Sequence, residues 1–139
     1  MDDELYQAVL LQYAKHPKNF GPLEDTTHAA EGYNALCGDE ISVALRVENS
    51  KVAEAKFTGS SCAICRASAC IMTGEVRGLR CDDVRKLAGT FRELVRTGVA
   101  EDVPEKLRVL DRVHHFPQRV KCAVLPWETL LIALETPVR

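Results

Sequence analysis

The chain has 139 residues, 18 Lys and Arg against 20 Asp and Glu for a formal net charge of −2, and six cysteines. Nearly balanced charge with scattered basic residues argues against nucleic acid or an anionic membrane surface as the main partner. No stretch approaches the ~18 consecutive apolar residues of a membrane helix.

This length suits one domain, residues 1–139, able to bury a core without disulfide staples. Met1-Asp-Asp-Glu-Leu5 has neither the basic region nor the apolar run of an export signal, so a cytoplasmic location is expected. Six irregularly spaced thiols in such a compartment point to metal binding or sulfur chemistry rather than to a disulfide framework.

Tyr6, Val9, Leu10, Tyr13 and Ala14 repeat on one helical face and predict a helix over roughly residues 3–15, ended by Pro17. Lys18-Asn-Phe-Gly-Pro22 is a turn cluster. A weak strand signal covers 26–33. Ile41, Val43, Leu45 and Val47 alternate with polar neighbours as a half-buried strand does, and Asn49-Ser50 turns the chain into a returning strand whose inward residues are expected to be Ala53, Ala55 and Phe57.

After Cys62 the pattern is helical. Ala63, Ala67, Cys70, Ile71 and Gly74 share one face; Val84, Leu87, Ala88, Phe91, Leu94 and Val95 share another, bounded by Gly78 and Gly98. Residues 100–104 connect to a short helix over 105–110, and Phe116-Pro117 breaks the chain. Val124, Trp127, Leu131 and Leu134 mark a closing helix; with Pro126 confined to its first turn, Cys122 falls at or just before the N-terminus. Strands followed by helices give an α+β fold, a small antiparallel three-stranded sheet with helices packed on one face.

Three cysteines fall at segment ends: Cys37 in the turn before the strong strand, Cys62 where the last strand passes into a helix, and Cys122 near the closing helix. Thiolates from three segments plus one oxygen make a usual tetrahedral metal site, and Asp39, two residues from Cys37 across a glycine, is the natural fourth ligand. Cys62 at a helix N-terminus should also have a lowered pKa.

The remaining candidates have plainer readings. Cys70 and Cys81 fit core or incidental thiols. Cys62-Ala-Ile-Cys65 has the spacing of a redox dithiol without its βαβ context. Adjacent His114 and His115 point apart and fit surface or packing roles, as do His16 and His28. Lys121 could lower the Cys122 pKa or meet an anionic sulfur species, and an ordinary solvated lysine fits equally.

Four stretches, Tyr13-Ala-Lys-His-Pro-Lys-Asn-Phe-Gly21, Asn34-Ala-Leu-Cys-Gly-Asp39, Gly59-Ser-Ser-Cys-Ala-Ile-Cys-Arg-Ala-Ser68 with Met72-Thr73, and Arg119-Val-Lys-Cys-Ala-Val-Leu-Pro-Trp127, together resemble the NifU N-terminal/IscU/SufU family of iron–sulfur cluster assembly proteins. The resemblance covers nearly the whole chain and implies a SufE/NifU-like fold. It implies a scaffold on which sulfide from a cysteine desulfurase (SufS/IscS-like) and iron become a [2Fe–2S] or [4Fe–4S] cluster for transfer to cluster-accepting proteins. By position, Cys37, Asp39, Cys62 and Cys122 match the metal or cluster ligands. Lys121, where the IscU branch has histidine, and the extra stretch over residues 98–117 look more like the SufU branch, whose members bind zinc and accept persulfide sulfur. Ala35 departs from a usual proline, and Cys65 and Cys70 from small serine-like residues.

On this reading Cys37, on its glycine-flanked turn, is the first candidate persulfide acceptor and Cys122 the second. A structural zinc-binding interaction module, or a Cys62/Cys65 oxidoreductase, are the alternative expectations.

Overall fold

The computed structural model describes residues 3–138, with side chains from Gln7 onward, so the expected inward face of Tyr6 lies outside the described residues. Helix α1 (Asp3–Lys15) precedes strands β1 (His28–Asn34), β2 (Asp39–Glu48) and β3 (Lys51–Ser60); α2 (Ala63–Val76), α3 (Cys81–Thr97), a 3₁₀ segment (Glu105–His115) and α4 (Pro117–Leu134) follow.

The strands form an antiparallel meander in the order β1-β2-β3. Asn49 and Ser50, at φ 52° and 62°, make the tight reversal between β2 and β3, the left-handed pair that matches strand twist. Ile41, Val43 and Leu45 point inward as alternation predicts. The third strand departs from expectation: Val52 is wholly buried with Ala55 and Phe57, while Ala53 is only half-buried. A register shift between Arg46 and Val47 sets Val47 opposite Val52. Such an irregularity changes the phase of alternation, which sequence periodicity alone does not reveal.

Helix α4 packs on β1 and β2, and α2 on β3 and α4, covering one face of the sheet; α1 lies against α2. One buried cluster runs from Leu10 to Leu134. Its largest member is Trp127 on α4, stacked on Phe91 of α3 with ring centroids 4.9 Å apart.

The closing helix corrects a second expectation. It starts at Pro117, so Cys122 lies inside it and Pro126 well beyond the first turn. Proline there removes an amide donor and crowds the preceding turn. Across the gap, Ser68 of α2 donates its hydroxyl hydrogen to the Ala123 carbonyl at 2.6 Å. A hydroxyl from a neighbouring helix thus satisfies a backbone carbonyl beside the interruption. The 3₁₀ segment is also longer than the expected short helix, running to His115.

Candidate functional site

Antiparallel pairing decides which cysteines meet. Asn34 pairs with Asp39 across the β1–β2 turn, and Glu40 pairs with Ser60. The turn 35–38 and the exit from β3 therefore share one end of the sheet. Gly38 in that turn has φ 70°, a conformation costly for other residues. Gly59 passes β2 so closely that a β-carbon there would collide with the Glu40 carbonyl oxygen. These close approaches carry Cys37, Asp39 and Cys62 to a common place, and α4, crossing β1, delivers Cys122.

Cys122 Sγ lies 2.9 Å from Cys37 Sγ. One ligand atom each from Cys37, Asp39 and Cys122 all lie within 4.8 Å of one another. Cys62 joins this group through Asp39: its backbone N–H donates to Oδ1 at 2.7 Å, and its Sγ lies 3.8 Å from Oδ2. Asp39 is buried, whereas Cys37 is exposed. The centre has a fixed carboxylate at its base and an accessible thiol at its edge.

Burial governs the titration of the other thiols. It pushes the Cys122 pKa up, and the contacts with Cys37 and Asp39 act in the same direction. The Cys62 thiol is also raised, by burial first, although it caps α2 by accepting the Cys65 N–H at 3.4 Å. That overturns the expected low pKa of Cys62: the helix N-terminus stabilises the thiolate, but desolvation costs more.

Cys65 is wholly buried, and burial pushes its pKa up to about 12. A redox dithiol needs accessible, ionisable sulfur, and Cys65 is neither. Cys70 is also buried, accepting the Lys18 N–H at 3.2 Å. Cys81 opens α3, half-buried. Lys121 is exposed one residue before Cys122. His114 is held by the Asp111 carbonyl at 2.6 Å, its ring lies 3.8 Å from that of His115 rather than pointing away from it as expected, and among the described residues no histidine joins the thiol cluster.

Sequence reasoning gave Asn34 no role of its own, yet its Nδ2 donates to Cys122 Sγ at 3.6 Å. An amide ending a strand three residues before the turn cysteine was the available signal. Sulfur donors from three elements with one carboxylate are the ligand chemistry of zinc or of cluster iron, and the residues present fit either.

The NifU-like N terminal domain model matches residues 5–136. The iron-sulfur cluster assembly scaffold protein IscU of Thermotoga maritima is 36% identical over 132 residues, covering 94% of this chain and 93% of that protein. The zinc-dependent sulfurtransferase SufU of Bacillus subtilis is 32% identical over 130 residues, covering 92% and 88%. Among solved structures, FiSufU of Fervidobacterium islandicum superposes with a TM-score of 0.86 at 29% identity, covering 96% of this chain and 99% of that one. A NifU-like protein of Brucella abortus gives 0.84 at 20% identity, with coverages of 96% and 94%, a likeness of fold.

Proposed function

The chain belongs to the NifU-like N-terminal domain family, and from that premise we propose that it is an iron–sulfur cluster assembly protein that accepts sulfur from a cysteine desulfurase. Cys37, Asp39, Cys62 and Cys122 hold zinc or a nascent [2Fe–2S] or [4Fe–4S] cluster, within a single 1–139 domain working in the cytoplasm. The observation that carries this reading is the approach of Cys122 Sγ to 2.9 Å from Cys37 Sγ, with the Asp39 carboxylate beside both.

Bound zinc would supply the positive charge that keeps buried thiols ionised. The chain's own residues do the rest. Cys37, exposed on its turn, attacks the terminal sulfur of the desulfurase persulfide; that S–S bond breaks, the desulfurase thiolate leaves, and the sulfane sulfur stays on Cys37. Cys122 is the second acceptor within reach. Asp39 holds the Cys62 amide in place and contributes an oxygen ligand more exchangeable than a fourth thiolate. Lys121 places a cation near the incoming anionic sulfur. Completed clusters then pass to accepting proteins.

The test is persulfide mapping by mass spectrometry after incubation with desulfurase and cysteine. Labelling should centre on Cys37 and disappear in Cys37→Ser; full labelling of that variant excludes Cys37 as acceptor. A purely structural zinc module would leave desulfurase turnover unchanged.

A further inference from the structure

A groove of about 510 Å³ opens directly onto the sulfur centre, between α1, the start of α2, the 3₁₀ segment and α4. This lies within the ~300–1,000 Å³ usual for small-molecule sites. Cys37, Cys62 and Cys122 line it, with Leu10, Ile64 and Phe116 among its apolar walls. Among the described residues that line it there is no Asp or Glu, and Arg119 brings a guanidinium to its edge. The Arg119 guanidinium is carried over the Phe116 ring, 4.5 Å from the centroid. Among the described residues no carboxylate pairs with Arg119. Stacking orients a guanidinium while leaving its in-plane N–H donors for a carboxylate.

The groove therefore combines a guanidinium edge, apolar walls and an exposed thiol. We propose that it binds low-molecular-weight persulfides bearing a carboxylate, of which cysteine persulfide is the smallest amino-acid example, and that such molecules load Cys37 directly. The proposal rests on the sulfur-accepting reading above and adds a diffusible donor to the protein one. In the step, the Cys37 thiolate attacks the terminal sulfur of R–S–SH, the S–S bond of the donor breaks, R–S⁻ leaves with its electron pair, and Cys37–S–SH forms. One sulfane sulfur is transferred with no net oxidation. The Arg119 side chain holds the carboxylate and so orients the donor, while Cys37 is the reacting group.

Two measurements on the full chain as purified separate this inference from the reading beneath it. The first compares alkylation of Cys37 by iodoacetate and by its neutral counterpart iodoacetamide, each normalised to a free-thiol peptide. The normalised preference for iodoacetate should be at least about fivefold, a modest gain for one charge-assisted contact, persist in part in Arg119→Lys and vanish in Arg119→Gln. A ratio equal to the peptide's, or unchanged in Arg119→Gln, overturns the carboxylate site whatever the desulfurase does. The second compares loading of Cys37 by cysteine persulfide and by cysteamine persulfide, which lacks the carboxylate. Faster loading by the former, lost in Arg119→Gln, supports the proposal. Anion preference without loading by either small persulfide overturns the transfer step, and failure of the desulfurase to load Cys37 as well overturns the sulfur-accepting reading itself.

Discussion

The Asp39 carboxylate accepts the backbone N–H of Cys62 at 2.7 Å through Oδ1 and turns Oδ2 to within 3.8 Å of the same residue's sulfur. One buried side chain thus couples the start of β2 to the cap of α2, and the shape of the sulfur centre depends on it.

Asp39→Ala should therefore act in two ways. Removing the acceptor leaves the part-buried Cys62 N–H without its partner, which costs about 1–3 kcal/mol, so denaturant midpoints of the metal-free protein should fall. Asp39→Asn keeps an acceptor oxygen and should recover most of that loss, while still weakening metal retention because the charge is gone. Equal stability of Asp39→Ala and the parent would show that the contact contributes nothing to folding.

The buried thiols set an alkaline limit on the metal-free fold. For Cys65 the value rises from the ordinary 9.0 to about 12; Cys62 and Cys122 move in the same direction. Between those pH values the unfolded chain gives up a proton that the folded chain keeps. Stability is thus fully present below the unfolded thiol value and declines above it, by up to about 1.4 kcal/mol per pH unit for each such thiol. Urea denaturation of metal-free protein at about pH 7.5 and about pH 10.5 should show this fall, and Cys65→Ala should show a shallower one. Stability that climbs over this range would contradict the burial of these groups.

Trp127 anchors the helix that carries Cys122. Its ring is wholly enclosed and stacked on Phe91 at 4.9 Å. Trp127→Ala should cost about 3–5 kcal/mol and should lower metal retention together with stability, because the position of α4 brings Cys122 to Cys37. A loss under about 1 kcal/mol would mean that the core collapses into the space, contrary to close packing.

Much of this architecture is legible before any coordinates. The Asn49-Ser50 turn, the alternating Ile41 to Leu45, and the helix ended by Gly98 follow from local rules that the rest of the fold does not override. Meeting of Cys37 with Asp39 is also local, since a glycine between them makes the turn. What escaped was set by tertiary context. Pro126 suggested a helix starting near Cys122, yet α4 begins at Pro117, and Ser68 of another helix serves a carbonyl beside the proline. The raised Cys62 pKa depends on burial by neighbours distant in sequence, which outweighs a helix terminus that the sequence does show. The Asn34 contact with Cys122 joins residues far apart along the chain, and no spacing rule announces it.

The central claim is that four side chains from three regions form one centre. Elemental analysis of protein purified without oxygen, run in parallel on Cys37→Ser, Asp39→Ala, Cys62→Ser and Cys122→Ser with Cys81→Ser as the control, tests it most directly. The account predicts about one zinc, or the iron and sulfide of one cluster, per parent chain, reduced in each of the four variants and retained in the control. Undiminished metal in all four variants would contradict it.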